Sequence, residues 1–260
     1  MEKGFNRATN LILRYLGDEK LAMESFVCDA TTKSYVSFTD EAMIYEAISS
    51  LDEEFMSHLS EEELMILRSY TGYHYKEINA LLRGTWNYEM NGKLDEETRK
   101  KYFELSQQIK KILLKYPSPC FPFVTYRGVN VSAFSKYGIT SIQDIIFMKE
   151  RYMYEEGFTS TSLLSDTSYF GKDLETGIDY NVQIQYLICE NEVDGAFLLG
   201  DMTSFSKNQN EFLIEAGSLS KIVDVKIDTE KNTAVLVAVL IPKRVWNLSE
   251  VRETQNMKLS

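Results

Sequence analysis

The chain has 260 residues, of which 44% are hydrophobic and 26% are charged, proportions that are typical of a folded protein with a substantial core. Its net charge of -11 argues against a nucleic-acid-binding surface spread over the whole molecule, although it leaves room for a local basic groove. Three widely separated cysteines and two histidines disfavour a disulfide framework, a zinc site and a histidine-based triad. Each cysteine is instead expected to be a small buried side chain.

The N-terminal segment predicts a helix and carries no export or membrane signal. Residues 5–16 space their apolar side chains at helical intervals, and Arg14 interrupts the apolar run that a signal peptide would need. No stretch of the sequence approaches the ~18 apolar residues of a membrane span. We therefore expect a protein without a leader or a membrane segment, which works where it is made or leaves by another route.

Two longer helices are predicted before the middle of the chain. Ser60, with Glu63 three residues later, forms a capping-box pattern that starts a helix. We expect this helix to break near residues 71–72, to resume, and to end at Gly84. Residues 94–116 form a second amphipathic pattern, which ends where prolines follow.

After Pro122 the sequence changes to short β-branched and aromatic segments separated by turn residues, which is the pattern of strands. Residues 141–155 interrupt these segments with a pattern that predicts a helix. Helices first and strands later predict the α+β class. The expected architecture is a helical N-terminal lobe packed on an antiparallel two-sheet β-sandwich core.

Two neighbouring residues of the first predicted strand could bind a ligand. Arg127 lies among apolar and aromatic residues, where its guanidinium needs either a carboxylate of the protein or an anionic ligand as its partner. Gly128 would let a ligand approach the backbone closely. On one face of the predicted helix, Asn79 and Arg83 stand four residues apart. This polar stripe is either a solvated face or part of a site.

Later strands carry further polar side chains. Alternation places Ser160 and Ser162 on one strand face and Thr161 on the other, so the serines either belong to an ordinary edge strand or face a cleft. Gln209 and Glu211 point to one side of an extended chain. Because Glu211 leads a hydrophobic strand, its carboxylate is expected to be partly desolvated.

In this order, the four features resemble the bacterial mono-ADP-ribosyltransferase exoenzymes of the arginine–serine–glutamate type. The resemblance is carried by the helix motif YTGYHYKEINALLRG, the strand YRG, the STS strand, and a Gln-x-Glu pair that runs into FLIEAGS. It implies the ADP-ribosyltransferase fold, with a transferase core at residues 61–245, a helical extension at 1–60 and a tail at 246–260. NAD is implied as the substrate, and no metal is expected.

The resemblance also implies roles at the NAD site. Arg127 would clamp the pyrophosphate with its planar fork, Arg83 would add a second positive charge, and Asn79 would lie near the adenosine side. The backbone of Gly128 would bind the nicotinamide amide, and Phe170 could stack on the nicotinamide ring.

The catalytic pair is divided between two tasks in this resemblance. Ser160 would orient Glu211, whose carboxylate would bind the ribose 2'-hydroxyl and stabilise the positive charge that develops on the sugar. Gln209 would choose the acceptor, because an amide can pair with Asn, Gln or a hydroxyl but forms no ion pair with arginine. Phe205 is a candidate for docking the target protein.

The Gln-x-Glu form resembles the Rho-modifying exoenzymes, which suggests a protein target such as a small GTPase or actin. Those enzymes are usually basic, whereas this chain is strongly acidic. We expect a monomeric toxin or effector, secreted or delivered into a target cell; a cytoplasmic enzyme is the alternative. Other acceptors, namely a nucleic-acid base or water, stay open, and so does a binding module that has kept only the fold. Net acidity weighs against nucleic acid.

Overall fold

The computed structural model describes residues 17–166, 170–172, 177, 179–191, 194–198 and 210–246. The helix expected at residues 5–16 lies outside this part of the chain. The helices of the described residues occupy the first half: Gly17–Thr31 (α1), Glu41–Ser57 (α2), Glu61–Ser69 (α3), Tyr75–Arg83 (α4), Tyr88–Asn91 (α5) and Glu96–Leu113 (α6). Among the described residues, no helix has both the length and the apolar character needed to cross a bilayer.

The helix predicted to start at Ser60 has the expected cap. The Ser60 hydroxyl accepts a hydrogen bond from the Glu63 backbone N–H at 3.2 Å, and the Glu63 carboxylate accepts one from the Ser60 backbone N–H at 3.0 Å. The helix stops at Gly84, whose φ of 65° lies in the left-handed region that favours glycine. Instead of breaking near residues 71–72, the backbone continues through one π-helical turn, Tyr70–His74, which joins α3 to α4.

The second half of the chain forms strands, as the sequence predicted. They are Phe123–Val129 (β1), Tyr152–Glu155 (β2), Thr159–Ser162 (β3), Gly171–Lys172 (β4), Asp179–Tyr180 (β5), Val182–Ile188 (β6), Gly195–Leu198 (β7), Glu211–Ile214 (β8), Ser218–Asp228 (β9) and Thr233–Ile241 (β10). Eight of them form one sheet in the order β2-β9-β10-β6-β1-β3-β8-β7, and β4 and β5 form a separate two-stranded sheet. All pairs are antiparallel except β6 with β10. The predicted α+β class is confirmed.

Residues 141–155 differ from their predicted helix. A short 3₁₀ helix, Gln143–Met148, is followed by strand β2, which pairs with β9. The apolar residues in the first half of the segment do follow a helical period, but Tyr152, Met153 and Tyr154 are aromatic or flexible side chains that a buried strand accommodates equally well. The missed strand places Glu155 at the start of a turn rather than at the end of a helix.

Two apolar clusters hold the helices on the sheet. The larger joins α2, α3, α4 and α6 to the sheet, and at its centre the rings of Phe123, Phe197 and Phe212 lie 5.0–5.2 Å apart. The smaller packs Met23 and Val27 of α1 against β2, β9 and β10. Burying each such side chain contributes about 1.5–3 kcal/mol, so the helices and the strands stabilise one another.

The cysteines depart in part from their expectation. Cys189 is buried, but Cys28 and Cys120 are exposed. Cys28 lies on a helix whose other face makes the contacts with the sheet, and Cys120 lies in the connection before β1. Small apolar character alone therefore did not determine burial, because the packed face of each segment decides it.

Candidate active site

Strand pairing brings Glu211 and Ser160 together. Strand β8 pairs with β3 so that Glu211 lies opposite Ser162, and Ser160 lies two residues away on the same strand. The Glu211 side chain is buried, and burial raises the pKa of its carboxyl group. A hydrogen bond from Ser160 and the positive charge of Arg127 oppose that rise, because both favour the ionised carboxylate.

Arg127 lies on the neighbouring strand β1 and is half-buried. Its Nη1 donates a hydrogen bond to the Ser160 backbone oxygen at 3.0 Å, which fixes the guanidinium beside β3. Neither Nε nor Nη2 bonds to any residue that the structure describes. Arg127 therefore keeps donors that an anionic ligand could use, which is one of the two kinds of partner that the sequence left open. Gly128 follows it in the same strand and pairs with Gln183 of β6.

The polar face of α4 is docked on the turn between β2 and β3. Asn79 accepts a hydrogen bond at Oδ1 from the Phe158 backbone N–H at 2.8 Å and donates from Nδ2 to the Tyr70 hydroxyl at 3.3 Å. Arg83 donates from Nε to Glu155 Oε1 at 2.7 Å and from Nη2 to the Phe158 backbone oxygen at 3.2 Å. The stripe that the sequence left open is therefore a contact face and not a solvated one.

Gly157 lies in the turn between β2 and β3, directly against Asn79 and Arg83 of α4. A Cβ atom at this position would stand 2.6 Å from Asn79 Oδ1 and 3.0 Å from Arg83 Nε. Helix α4 can approach the turn this closely only because residue 157 has no side chain.

We therefore expect Gly157→Ala to lower the free energy of unfolding by about 1–3 kcal/mol, because the added methyl group forces Asn79 and Arg83 away from the turn. Thermal and urea unfolding of the two proteins measure this change. Equal stability of Gly157→Ala and the parent protein would contradict the close approach.

Two residues of this region were not singled out from the sequence. Tyr70 is buried, and burial followed by the negative charge of Glu211 raises its pKa, so the hydroxyl stays protonated close to the Glu211 carboxylate. Glu155 was hidden inside a predicted helix. The sequence held one signal for Tyr70, which is its position ahead of Asn79 in the helix motif, and none for Glu155.

The described site combines groups that suit a ligand with an anionic phosphate and a sugar. A buried carboxylate, Glu211, lies within electrostatic reach of a guanidinium, Arg127, that has donors to spare. Fixed negative charge in a dry environment stabilises a developing cation, and a guanidinium fork suits a phosphate.

The family follows from the sequence as a whole. Residues 47–243 match the family model described as the ADP-ribosyltransferase exoenzyme, and this range contains Asn79, Arg127, Ser160 and Glu211. The chain belongs to the ADP-ribosyltransferase exoenzyme family. The exoenzyme is thus an NAD-dependent transferase of a toxin family, as its motifs predicted. Among curated proteins, no sequence matches it significantly.

Solved structures share the fold of the exoenzyme. C3stau2 from S. aureus, solved with NAD, has a TM-score of 0.64 at 20% identity over 81% of this chain and 100% of that one. The Clostridium limosum C3 exoenzyme has a TM-score of 0.59 at 21% identity over 81% and 98%. Plx2a, an ADP-ribosyltransferase toxin from Paenibacillus larvae, has a TM-score of 0.60 at 18% identity over 80% and 100%. Identities this low show the common fold.

The other residues that the sequence singled out in the exoenzyme lie partly inside and partly outside the described chain. Phe170 is exposed at 39%. Gln209 and Phe205 lie outside the described residues, so their roles stay predictions, and so do the boundaries of the three predicted segments. Glu215, four residues after Glu211, is buried and pairs with Lys243 at 2.6 Å. His74 packs its ring edge-on against Tyr102 at 5.5 Å, as expected of a packing residue.

Proposed function

We propose that this exoenzyme cleaves NAD and transfers the ADP-ribose to an Asn, Gln or Thr side chain of a target protein. The observation that carries the proposal is the buried carboxylate of Glu211, which is bonded to Ser160 and lies near Arg127. The preference for a non-arginine acceptor rests on Gln209, because an amide cannot form an ion pair with a guanidinium.

In the proposed mechanism, Glu211 accepts a hydrogen bond from the ribose 2'-hydroxyl and stabilises the oxocarbenium-like state as the bond to nicotinamide breaks. Ser160 holds the carboxylate in place, and nicotinamide leaves as a neutral molecule, so no general acid is needed. The backbone of Gly128 holds the nicotinamide amide, and Phe170 stacks on its ring.

The phosphates of NAD are assigned to the two arginines. Arg127 offers Nε and Nη2, and Arg83 offers Nη1, since these nitrogens have no hydrogen bond to the described residues. Asn79 stands on the adenosine side in this proposal. Both ends of its amide are already bonded, so it acts there by holding Phe158 in place.

The experiment that tests the proposed function follows the label of NAD into acceptors. The exoenzyme is incubated with labelled NAD and a whole-cell lysate, the products are divided by protease and nuclease treatment, and modified peptides are analysed by mass spectrometry. We expect nicotinamide release without any target, and protease-sensitive label on Asn, Gln or Thr. Nuclease-sensitive label would instead support a nucleic-acid base as the acceptor. Nicotinamide release with no transfer would support a glycohydrolase.

Gln209→Glu tests the choice of acceptor separately from NAD cleavage. Because Glu211 is unchanged, glycohydrolysis should stay within about twofold of the parent rate, whereas transfer to the native acceptor should fall by about tenfold or more when the amide can no longer donate. Nicotinamide release and label incorporation, measured on one preparation, give both rates. Equal losses of the two activities would place Gln209 in NAD cleavage instead.

The setting of this activity is also proposed. A toxin family suggests an effector that is secreted or delivered into a target cell and that contributes to virulence, where it would modify a small GTPase or actin as a monomer. The structural neighbour Plx2a is an ADP-ribosyltransferase toxin, which supports this setting. The absence of a resident metal stays a prediction as well; within the described residues no three potential ligands cluster.

A further inference from the structure

The carboxylate of Glu155 stands at the centre of the contact between α4 and the sheet. Its Oε1 accepts the hydrogen bond from Arg83 Nε at 2.7 Å and a second from the Gly157 backbone N–H at 3.3 Å. The backbone of Glu155 is itself fixed, because it pairs with Ser218 in the sheet and its carbonyl oxygen accepts from Gly217 N–H at 2.9 Å. Glu155 is therefore a rigid support for whatever it holds.

Arg83 is held by one side of its guanidinium. Nε bonds to Glu155, and Nη2 bonds to the Phe158 backbone oxygen at 3.2 Å. Nη1 has no hydrogen bond to any residue in the described part of the chain, and the side chain keeps 28% of its surface exposed. Two fixed contacts thus define where the remaining donors of Arg83 can stand, which removes rotamer freedom before a ligand arrives.

The charges around Glu155 favour its ionised form. Burial opposes ionisation, but the charges of Arg83, Arg127 and Lys136, together with the hydrogen bond from Arg83, keep the pKa of Glu155 below its ordinary value. Lys136 is also bonded to the neighbouring carboxylate of Glu156 at 3.3 Å. An anion among three cations could either hold them in place or compete with the ligand for them.

The geometry separates these two roles. A competitor would occupy the guanidinium nitrogen that is left for a phosphate, which on Arg83 is Nη1. Glu155 instead takes Nε, on the side nearest the helix, and a backbone oxygen takes Nη2.

We propose that Glu155 is a positioning residue for the NAD donor: it holds Arg83 by Nε and thereby presents Nη1 to the pyrophosphate. The inference rests on the proposed function, in which Arg83 binds NAD. Glu155 touches neither the sugar nor the nicotinamide in this scheme, so its loss should weaken donor binding and leave the chemical step intact.

A kinetic test uses nicotinamide release by the full chain at varied NAD concentration. We expect Glu155→Gln to raise KM for NAD about tenfold, because Arg83 loses its charged partner. The kcat should change by less than about twofold, because the groups that take part in the chemical step are unchanged. Arg83→Gln should raise KM by a similar factor. Adding Glu155→Gln to Arg83→Gln should have no further effect if Glu155 acts only through Arg83.

Two further variants keep the result interpretable. Glu156→Gln removes one negative charge from the adjacent residue, and its KM should stay within about twofold of the parent value. Glu155→Asp keeps the charge but withdraws the carboxylate by one methylene, so its KM should lie between those of the parent and Glu155→Gln. Thermal unfolding establishes that each variant is folded, and Glu155→Asp decides the question if Glu155→Gln does not fold.

Three outcomes would overturn the inference. An unchanged KM would show that Arg83 needs no support, tighter NAD binding would show that Glu155 competes with the donor, and additive effects would show that it acts independently of Arg83. If the parent protein releases no nicotinamide, the proposed function itself fails and this inference falls with it. If the parent protein releases nicotinamide and Glu155→Gln has the same KM for NAD, only the inference about Glu155 fails and the proposed function stands.

Discussion

Glu211→Gln should lower the rate of NAD cleavage by about 10³-fold and leave the fold intact. The amide keeps the size of the carboxylate and can still bond to Ser160, but it carries no negative charge to stabilise the cationic sugar. Removing one preorganised charged group from a dry site has an effect of this order. Nicotinamide release at saturating NAD is the measurement, since it reports the chemical step without requiring a target.

The same substitution should make the protein more stable at neutral pH. Burial raises the pKa of Glu211 above its ordinary value of 4.5, so the folded state binds the proton more tightly than the unfolded chain. Stability therefore falls as the pH rises above that ordinary value, until the folded-state carboxyl is fully ionised. Glutamine avoids this loss, so we expect the variant to have a higher unfolding free energy than the parent protein at neutral pH, and we expect this gain to vanish in acid.

Glu215→Gln is the matched control for Glu211→Gln. Glu215 is also buried, but it pairs with Lys243 at 2.6 Å and takes no part in the proposed chemistry. Its variant should keep NAD cleavage within about twofold and lose about 1–3 kcal/mol of stability, because Lys243 is left without its charged partner. Full glycohydrolase activity in Glu211→Gln would falsify the assignment of Glu211.

Arg127→Lys should weaken NAD binding by about 100-fold. Lysine retains the positive charge but has no planar fork, so it cannot bond to the Ser160 backbone oxygen and also present two parallel donors to a phosphate. A change of this size is expected when two charge-assisted hydrogen bonds to a phosphate are replaced by the attraction of a single ammonium group. Calorimetric titration of NAD into the Glu211→Gln protein, with and without Arg127→Lys, measures the change in affinity without consuming the ligand.

Arg151→Lys is the corresponding control for Arg127→Lys. Arg151 is a half-buried arginine immediately before β2, and it donates to the Tyr137 backbone oxygen at 3.4 Å. Its replacement should leave the Kd for NAD within about twofold of the parent value. If the Arg127→Lys protein also bound NAD with the parent affinity, the pyrophosphate would have to be held elsewhere.

The sequence was most informative where local patterns and strand composition agree. Ser60 and Glu63 cap a helix by contacts within four residues, and Gly84 ends one through its own backbone preference, so both follow from sequence alone. The pairing of Glu211 with Ser160 depends on the register of β3 and β8, which the sequence does not display. It was expected only because the order of motifs resembles a family in which these residues meet.

The features that escaped prediction depend on contacts between distant segments. Glu155 acts through Arg83, 72 residues earlier in the chain, and its own strand has a pattern that a helix could also have produced. The local sequence does not show why residue 157 must be glycine, because the steric requirement comes from Asn79 and Arg83 of another segment. Neither requirement exists until α4 and the sheet are packed together.

The π-helical turn Tyr70–His74 also affects how residues are matched between relatives. The Tyr70 hydroxyl and the Asn79 amide meet at 3.3 Å although nine residues separate them, a spacing that in a regular α-helix of about 3.6 residues per turn would place the two side chains on opposite faces. The wider turn therefore rotates everything after it by about one residue. A relative with a regular helix here would need a gap of one residue in its alignment, and without that gap Asn79 and Arg83 would be equated with side chains that face away from the turn between β2 and β3.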